Sequence, residues 1–182
     1  MRTPRVVAVA GLVAFIPWSV GLPQSLADPL SSVAVAGSVV FPADEHTRTS
    51  AGGSFEFEHL FSKSFSLGAT AGFWSGESDF VKDSRVSYFG GVATYRWGQT
   101  KMRPFLQIGG GIYHLKFQFP SRNRFAPNEK EVRGGAFAGP GLDYALSRSC
   151  ALEVRARYHL VGDASSVHPD FLESQLGLRF FF

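Results

Sequence analysis

The sequence predicts an all-β fold in which eight antiparallel strands close, up and down, into a transmembrane β-barrel. Three observations carry that expectation. Apolar and polar side chains alternate at period two along most of the chain, short and long connections alternate between those segments, and the composition is rich in Phe (18) and Gly (20). A two-residue period marks a strand with two unlike faces, whereas an amphipathic helix repeats every three or four residues. Glycine is scattered through every stretch that could be tried as a helix, which weakens the helical alternative.

The chain begins MRTPRVVAVAGLVAFIPWSVGLPQSLA. Arg2 and Arg5 precede an apolar run from Val6 to Leu22, and Ser25-Leu26-Ala27 follows as a small-x-small cleavage pattern. Pro17, Gly21 and Pro23 leave the run short of the ~20 apolar residues that a spanning helix needs. Residues 1–27 are therefore expected to be a cleaved signal peptide and residues 28–182 one barrel domain. Without the leader the chain carries 16 basic and 15 acidic side chains. No basic run or patch remains, so nucleic acid is excluded as a partner. The one cysteine, Cys150, cannot form a disulfide framework and does not sit where a lipid-anchored cysteine would follow a leader.

Strands are expected at 32–41, 51–61, 64–75, 84–97, 103–117, 131–145, 150–161 and 171–182. In the second, Phe55, Phe57 and Phe61 alternate with Ser54, Glu56 and Glu58. In the third, Phe65, Leu67, Ala69, Ala71 and Phe73 alternate with Ser66, Gly68, Thr70 and Gly72. The seventh sets Leu152, Val154, Ala156, Tyr158 and Leu160 against Glu153, Arg155, Arg157 and His159. The eighth sets Leu176, Leu178, Phe180 and Phe182 against Glu173, Gln175, Gly177 and Arg179. The fourth and fifth alternate less cleanly. Most segments exceed the usual 5–6 residues of globular strands and suit the ~9–11 of tilted membrane strands. Short turns at 62–64, 98–102 and 146–149 exchange with longer loops at 42–50, 75–83, 118–130 and 161–170, the connection pattern of an up-and-down membrane barrel.

Two faces leave two ways to orient the barrel, and the charges choose between them. Glu56, Glu58, Asp143, Glu153 and Glu173 nearly balance Arg133, Arg155, Arg157 and Arg179. Such a set can neutralise itself in a closed lumen, whereas a solvated surface has no need of balance. Aromatics near strand ends (Phe41, Phe61, Phe65, Trp74, Tyr88, Tyr95, Trp97, Phe105, Phe117, Tyr144, Phe180 and Phe182) are expected to form the interfacial girdles. The apolar face is thus expected outside and the charge network inside.

From about residue 31 the chain resembles the small outer-membrane β-barrels of Gram-negative bacteria, of the OmpA/OmpX and OmpW type. The motif that carries the resemblance is the final strand, QLGLRFFF, where Gln175, Gly177, Phe180 and Phe182 match the polar-x-Gly-x-x-apolar-x-aromatic strand end read by the barrel-assembly machinery. "RPFLQIGGGIYHLKF" and "GAFAGPGLDYAL" look like strands five and six of that family. The resemblance implies the cell outer membrane as location, outer-membrane lipid and lipopolysaccharide as surroundings, a monomer, and a structural or surface-interaction role. A porin-like passage of small or hydrophobic solutes is the alternative.

An enzyme that remodels lipid A is the third class. One such deacylase family has His-x-Ser on a late strand, but here His159 is followed by Leu160 and Val161, and only the loop residues Ser165 and Ser166 could approach. No catalytic residue and no cofactor is expected. Histidines 46, 59, 114, 159 and 168 are scattered without metal-ligand spacing. His114 and Lys116 near a strand's outer end, with Arg122, Arg124 and Lys130 of the longest loop, are placed to meet lipopolysaccharide phosphates.

Overall fold

The computed structural model describes residues 31–42, 49–76, 83–98, 100–118, 129–162 and 170–182. The expected leader and the middles of the four long connections, with His46, Arg122, Arg124, Ser165, Ser166 and His168, lie outside the described residues. Eight strands are formed: β1 (Ser31–Pro42), β2 (Ser50–Leu60), β3 (Phe65–Gly76), β4 (Asp83–Arg96), β5 (Met102–Gln118), β6 (Glu129–Ala145), β7 (Cys150–Val161) and β8 (Phe171–Phe181). They close into one barrel in sequence order, every neighbouring pair antiparallel. Each strand lies within two residues of its sequence-based bounds at either end.

Closure removes the sheet edges that would otherwise expose unpaired backbone groups to lipid. The seam is β1 against β8, finished by Ser31 N–H donating to Phe182 C=O at 3.1 Å and Phe182 N–H to Ser31 C=O at 3.0 Å. The ends of these two strands share the side of the short turns. At residues 61–64 the amides of Phe61 and Ser62 both donate to Phe65 C=O, and the Ser62 hydroxyl accepts from Phe65 N–H. At 146–149 Leu146 and Ser147 donate to Cys150 C=O in the same way. Gly98 opens the third turn at φ 81°, a left-handed conformation that side-chain-bearing residues rarely adopt.

The wall is polar inside and apolar outside. Val35, Phe55, Phe73, Phe89, Ile108, Ile112, Leu160 and Leu176 stand exposed on the exterior, while Glu56, Glu58, Asp143, Glu153, Arg157 and Arg179 are fully buried. In water that arrangement would expose the core, and in a bilayer it matches lipid to lipid-facing side chains. The facing of β4 and β5 is now defined. Tyr88, Val92, Thr94 and Arg96 point inward from β4, and Arg103, Phe105, Gln107, Tyr113 and Leu115 from β5.

One part of the girdle expectation is corrected. Phe41, Phe61, Phe65, Tyr95, Trp97, Tyr144, Phe180 and Phe182 are exposed, but Trp74, Tyr88 and Phe105 are buried inside the barrel. Strand parity, not distance from the strand end, decides the side. Inward glycines make the room. A Cβ on Gly72 would lie 2.3 Å from the Tyr88 ring, and one on Gly141 would lie 2.1 Å from the Phe105 ring. Each of these glycines faces its aromatic partner directly across the ladder.

Candidate functional site: the barrel interior

Glu56 on β2 is the hub of the lumen. Its carboxylate accepts from Arg179 Nη2 at 2.7 Å, from Arg155 Nη1 at 2.9 Å, from Gln107 Nε2 at 2.9 Å, and from Arg157. Three guanidinium groups and an amide from β5, β7 and β8 therefore reach across the interior to one carboxylate. Two residues along β2, Glu58 accepts from Arg96 Nη2 at 2.6 Å, Arg179 Nη1 at 3.1 Å, the Ser66 hydroxyl at 2.9 Å and the Thr94 hydroxyl.

The remaining acids complete the set. Glu153 accepts from Arg179 Nε at 2.6 Å and lies 2.9 Å from Arg155 Nη1. Asp143 accepts from Arg96 Nε at 3.2 Å, with Arg103 Nη2 at 3.8 Å. Arg103 also lays its guanidinium over the Phe181 ring, 4.8 Å from the centroid. Hydroxyls and amides take the guanidinium hydrogens left over: Ser32 and Ser54 accept from Arg179 and Arg155 at 3.0 Å, and Gln107 accepts from Arg157 at 2.7 Å. A buried charge is tolerable when it is paired and its remaining donors are bonded, a condition that Arg96, Arg155, Arg157 and Arg179 meet, whereas Arg103 Nε and Nη2 have no hydrogen-bond partner.

Toward the long loops the interior changes character. Trp74, Tyr88, Tyr113, Leu115, Val161 and Phe171 form an apolar cluster. His159 sits within it, stacked on Phe171 with centroids 4.4 Å apart. Its Nδ1 is 2.8 Å from the Tyr113 hydroxyl and its Nε2 is 3.1 Å from a Glu173 oxygen. With Nε2–H donating to the carboxylate, a neutral ring accepts a hydrogen bond from the Tyr113 hydroxyl at Nδ1.

Of the nine residues assigned to the lumen from sequence, Glu56, Glu58, Asp143, Glu153, Arg155, Arg157 and Arg179 meet in the central network. Glu173 belongs to the aromatic half, paired with His159. Arg133 is a correction: it is partly exposed and pairs with Glu131 at 3.1 Å toward the long loops. Its strand, one of the two longest, carries it past the network. Arg96, Arg103 and Gln107 are members that sequence reasoning missed. The girdle expectation set Tyr88 and Phe105 outside, and parity counted from them puts Arg96, Arg103 and Gln107 on the outer wall as well. Gln175 and Gly177 of the terminal motif face inward, and Phe180 and Phe182 are exposed outside. Gly177 has a packing reason of its own, since a Cβ there would lie 2.3 Å from Val35 C=O on β1.

Among the described residues no group of three or more His, Cys, Asp or Glu side chains is arranged to hold a metal ion. No family model matches the chain, and no curated protein matches it. Solved structures with the same barrel include Neisserial surface protein A, at 13% identity over 84% of this chain and 97% of that one, with a TM-score of 0.71. OprG from Pseudomonas aeruginosa is similar at 10% identity, 86% and 98% coverage and a TM-score of 0.65. Ail, the attachment invasion locus protein of Yersinia pestis, is similar at 13% identity, 84% and 97% coverage and 0.60. At these identities the likeness is one of fold. The closed eight-stranded wall with its apolar exterior defines the class, a small transmembrane-type β-barrel, the fold that these outer-membrane proteins share.

Proposed function

We propose that the protein is a non-enzymatic, non-conducting barrel whose role is structural or one of surface interaction, holding its long-loop end at the membrane surface. The observation that carries the reading is the hub at Glu56, where arginines from β7 and β8 and Gln107 from β5 converge across the lumen. An eight-stranded barrel is just wide enough for side chains to fill, and these fill it with bonded charge. The test is conductance of the purified barrel in planar bilayers. Silence supports the closed scaffold, and steady open levels overturn it in favour of solute passage.

Solute passage keeps one favourable observation. The half of the lumen nearest the long loops is filled by the rings of Trp74, Tyr88, Tyr113, Phe137 and Phe171, an apolar surface that a small apolar molecule entering from that side would meet. A concentration-dependent quench of Trp74 fluorescence by such a molecule, absent in Trp74→Phe, would favour it. Catalysis is left out of the reading because His159 and Tyr113 are both fully buried and Val161 stands where a deacylase motif has serine. A changed lipid A mass on expression would overturn that. Within the same proposal the barrel acts as a monomer, and Gln175, Gly177, Phe180 and Phe182 are the strand end read by the assembly machinery.

A further inference from the structure

Where the charged half of the lumen meets the aromatic half, three neighbouring side chains each bury a polar atom that has no hydrogen-bond partner. These atoms are Ser38 Oγ on β1, and Glu173 Oε1 and Gln175 Nε2 on β8, on residues no more than 5% exposed. Ser38 and Gln175 are direct partners across the seam that closes the barrel, and Glu173 is the next inward residue of β8. On the other flank of Ser38 stands Gly52 of β2, which has no side chain, and the neighbouring inward residues of β1 are Ala36 and Val40. The wall beside the three atoms is therefore built from short residues.

The surrounding groups are engaged elsewhere. Glu173 meets His159 Nε2 with its other oxygen, at 3.1 Å. Arg157 stands opposite Glu173 in the ladder, but its N–H groups are directed to Gln107, Thr70, Tyr88 and Glu56. Gln175 Oε1 accepts from Arg155 Nε, and this fixes the amide, since the opposite orientation would set its NH2 against the guanidinium. Buried polar atoms left in this condition are costly.

The same atoms specify what would satisfy them. Glu173 Oε1 only accepts, Gln175 Nε2 only donates, and the Ser38 hydroxyl does either. An anion would face the carboxylate and a cation would face the amide N–H. A neutral group that donates and accepts suits both. Residues two apart on one face of a strand are ~6.6 Å apart, a span that one oxygen with hydrogen bonds of ~2.8 Å on each side can bridge.

We infer that Ser38, Glu173 and Gln175 form a binding site for a single neutral hydroxyl, carried by water or by a small alcohol entering from the long-loop side. Bound there, the hydroxyl donates to Glu173 Oε1, accepts from Gln175 Nε2 and links the Arg155 side of the charged network to the His159–Tyr113 pair. The site rests on the inward facing of β1 and β8, and not on whether the lumen conducts.

The test is solution NMR of the folded protein in detergent micelles, read at the Gln175 side-chain amide, first in water and then with glycerol added. Wild type is expected to show a dipolar cross-peak between that amide and water, a saturable shift with glycerol, or both. The first assigns water as the ligand and the second the alcohol. Ser38→Val replaces the hydroxyl by methyl groups and should abolish either signal. If that variant does not fold, Ser38→Ala removes one hydrogen bond and should weaken occupancy about fivefold. The Gln107 amide, whose Nε2 already donates to Glu56 and Thr94, should show neither signal. Absence of both signals in wild type overturns the site. An undiminished signal in the Ser38 variants also overturns it, as does an equal one at Gln107, which would mean a lumen wet throughout. A saturable shift with sodium chloride or inorganic phosphate would assign an ion and overturn the hydroxyl. The heat-dependent gel shift reports folding for each variant, and its loss in wild type would instead sink the barrel reading beneath the site.

Discussion

The interior of this barrel is two materials stacked along one axis. On the short-turn side, Arg96, Arg155, Arg157 and Arg179 interlock with Glu56, Glu58, Asp143 and Glu153, and almost every donor is matched to an acceptor on another strand. On the long-loop side, rings pack on rings: Trp74 on Phe171 at 4.4 Å and Tyr88 on Tyr113 at 5.6 Å, with one short polar chain, Tyr113–His159–Glu173, threaded through them. The first half is specified by pairing and the second by shape. A charge removed from the first strands its partners, whereas a group removed from the second leaves a gap or one loose hydrogen bond. The two halves should therefore answer substitution with different magnitudes.

The largest effect belongs to the hub. Glu56→Ala would leave Arg155 with Glu153, Arg179 with Glu58 and Glu153, and Arg157 without its ion-pair partner. Breaking a buried ion pair by removing one partner costs about 3–5 kcal/mol. Guanidinium unfolding of the barrel in lipid vesicles, read by loss of the fast-migrating unboiled band, checks this. An unchanged midpoint would mean that the charged half is held by its backbone ladders and not by pairing, and the comparison would collapse.

How much of the two halves could be read beforehand follows the same line. β2, β7 and β8 alternate charge with apolar residues, so Glu56, Glu58, Glu153, Arg155, Arg157 and Arg179 declare their side without a structure. The aromatic half declares itself less. Trp74 follows the parity of β3, on the face of Ser66, Thr70 and Gly72, but Tyr88, like Phe105 beside Arg96 in the charged half, is a residue type that girdles use, and its inward position depends on a glycine across the ladder, Gly72 for Tyr88 and Gly141 for Phe105. That complementarity is a long-range fact. The run Phe89-Gly90-Gly91-Val92 hides the parity of β4 because glycine has no side to show, and this is why Arg96 escaped notice. Lys116 and Lys130 are read from the sequence as facing outward anions, but that Arg85 stands opposite Lys116 and Lys116 opposite Lys130 comes only from the ladder register.

An intermediate effect should come from the glycines that admit rings to the lumen. Gly109→Ala would put a Cβ 2.2 Å from the Phe137 ring and 2.4 Å from Gly91 C=O. The ring also bears Arg157 over its face, 4.8 Å from the centroid. Overpacking of this kind costs about 1–3 kcal/mol. The expected result is a lowered midpoint that a second substitution, Phe137→Leu, partly restores by opening the space. If the double variant is no better than the single, the clash is with the β4 backbone, and the glycine serves the wall and not the ring.

The smallest effect tests the aromatic half where it is most like the other. Tyr113→Phe keeps the ring, its stacking on Tyr88 and its burial, and deletes only the hydroxyl that meets His159 Nδ1. The imidazole still has Glu173 at Nε2, so no charge is stranded and a single neutral hydrogen bond is lost. Such a bond is worth about 0.5–1.5 kcal/mol net. The variant should therefore unfold within about 1.5 kcal/mol of wild type, well short of Glu56→Ala. A loss as large as the hub's would show that Tyr113, His159 and Glu173 act as a stranded-charge network like the one below, and that the lumen is one polar column with rings around it instead of two materials in series.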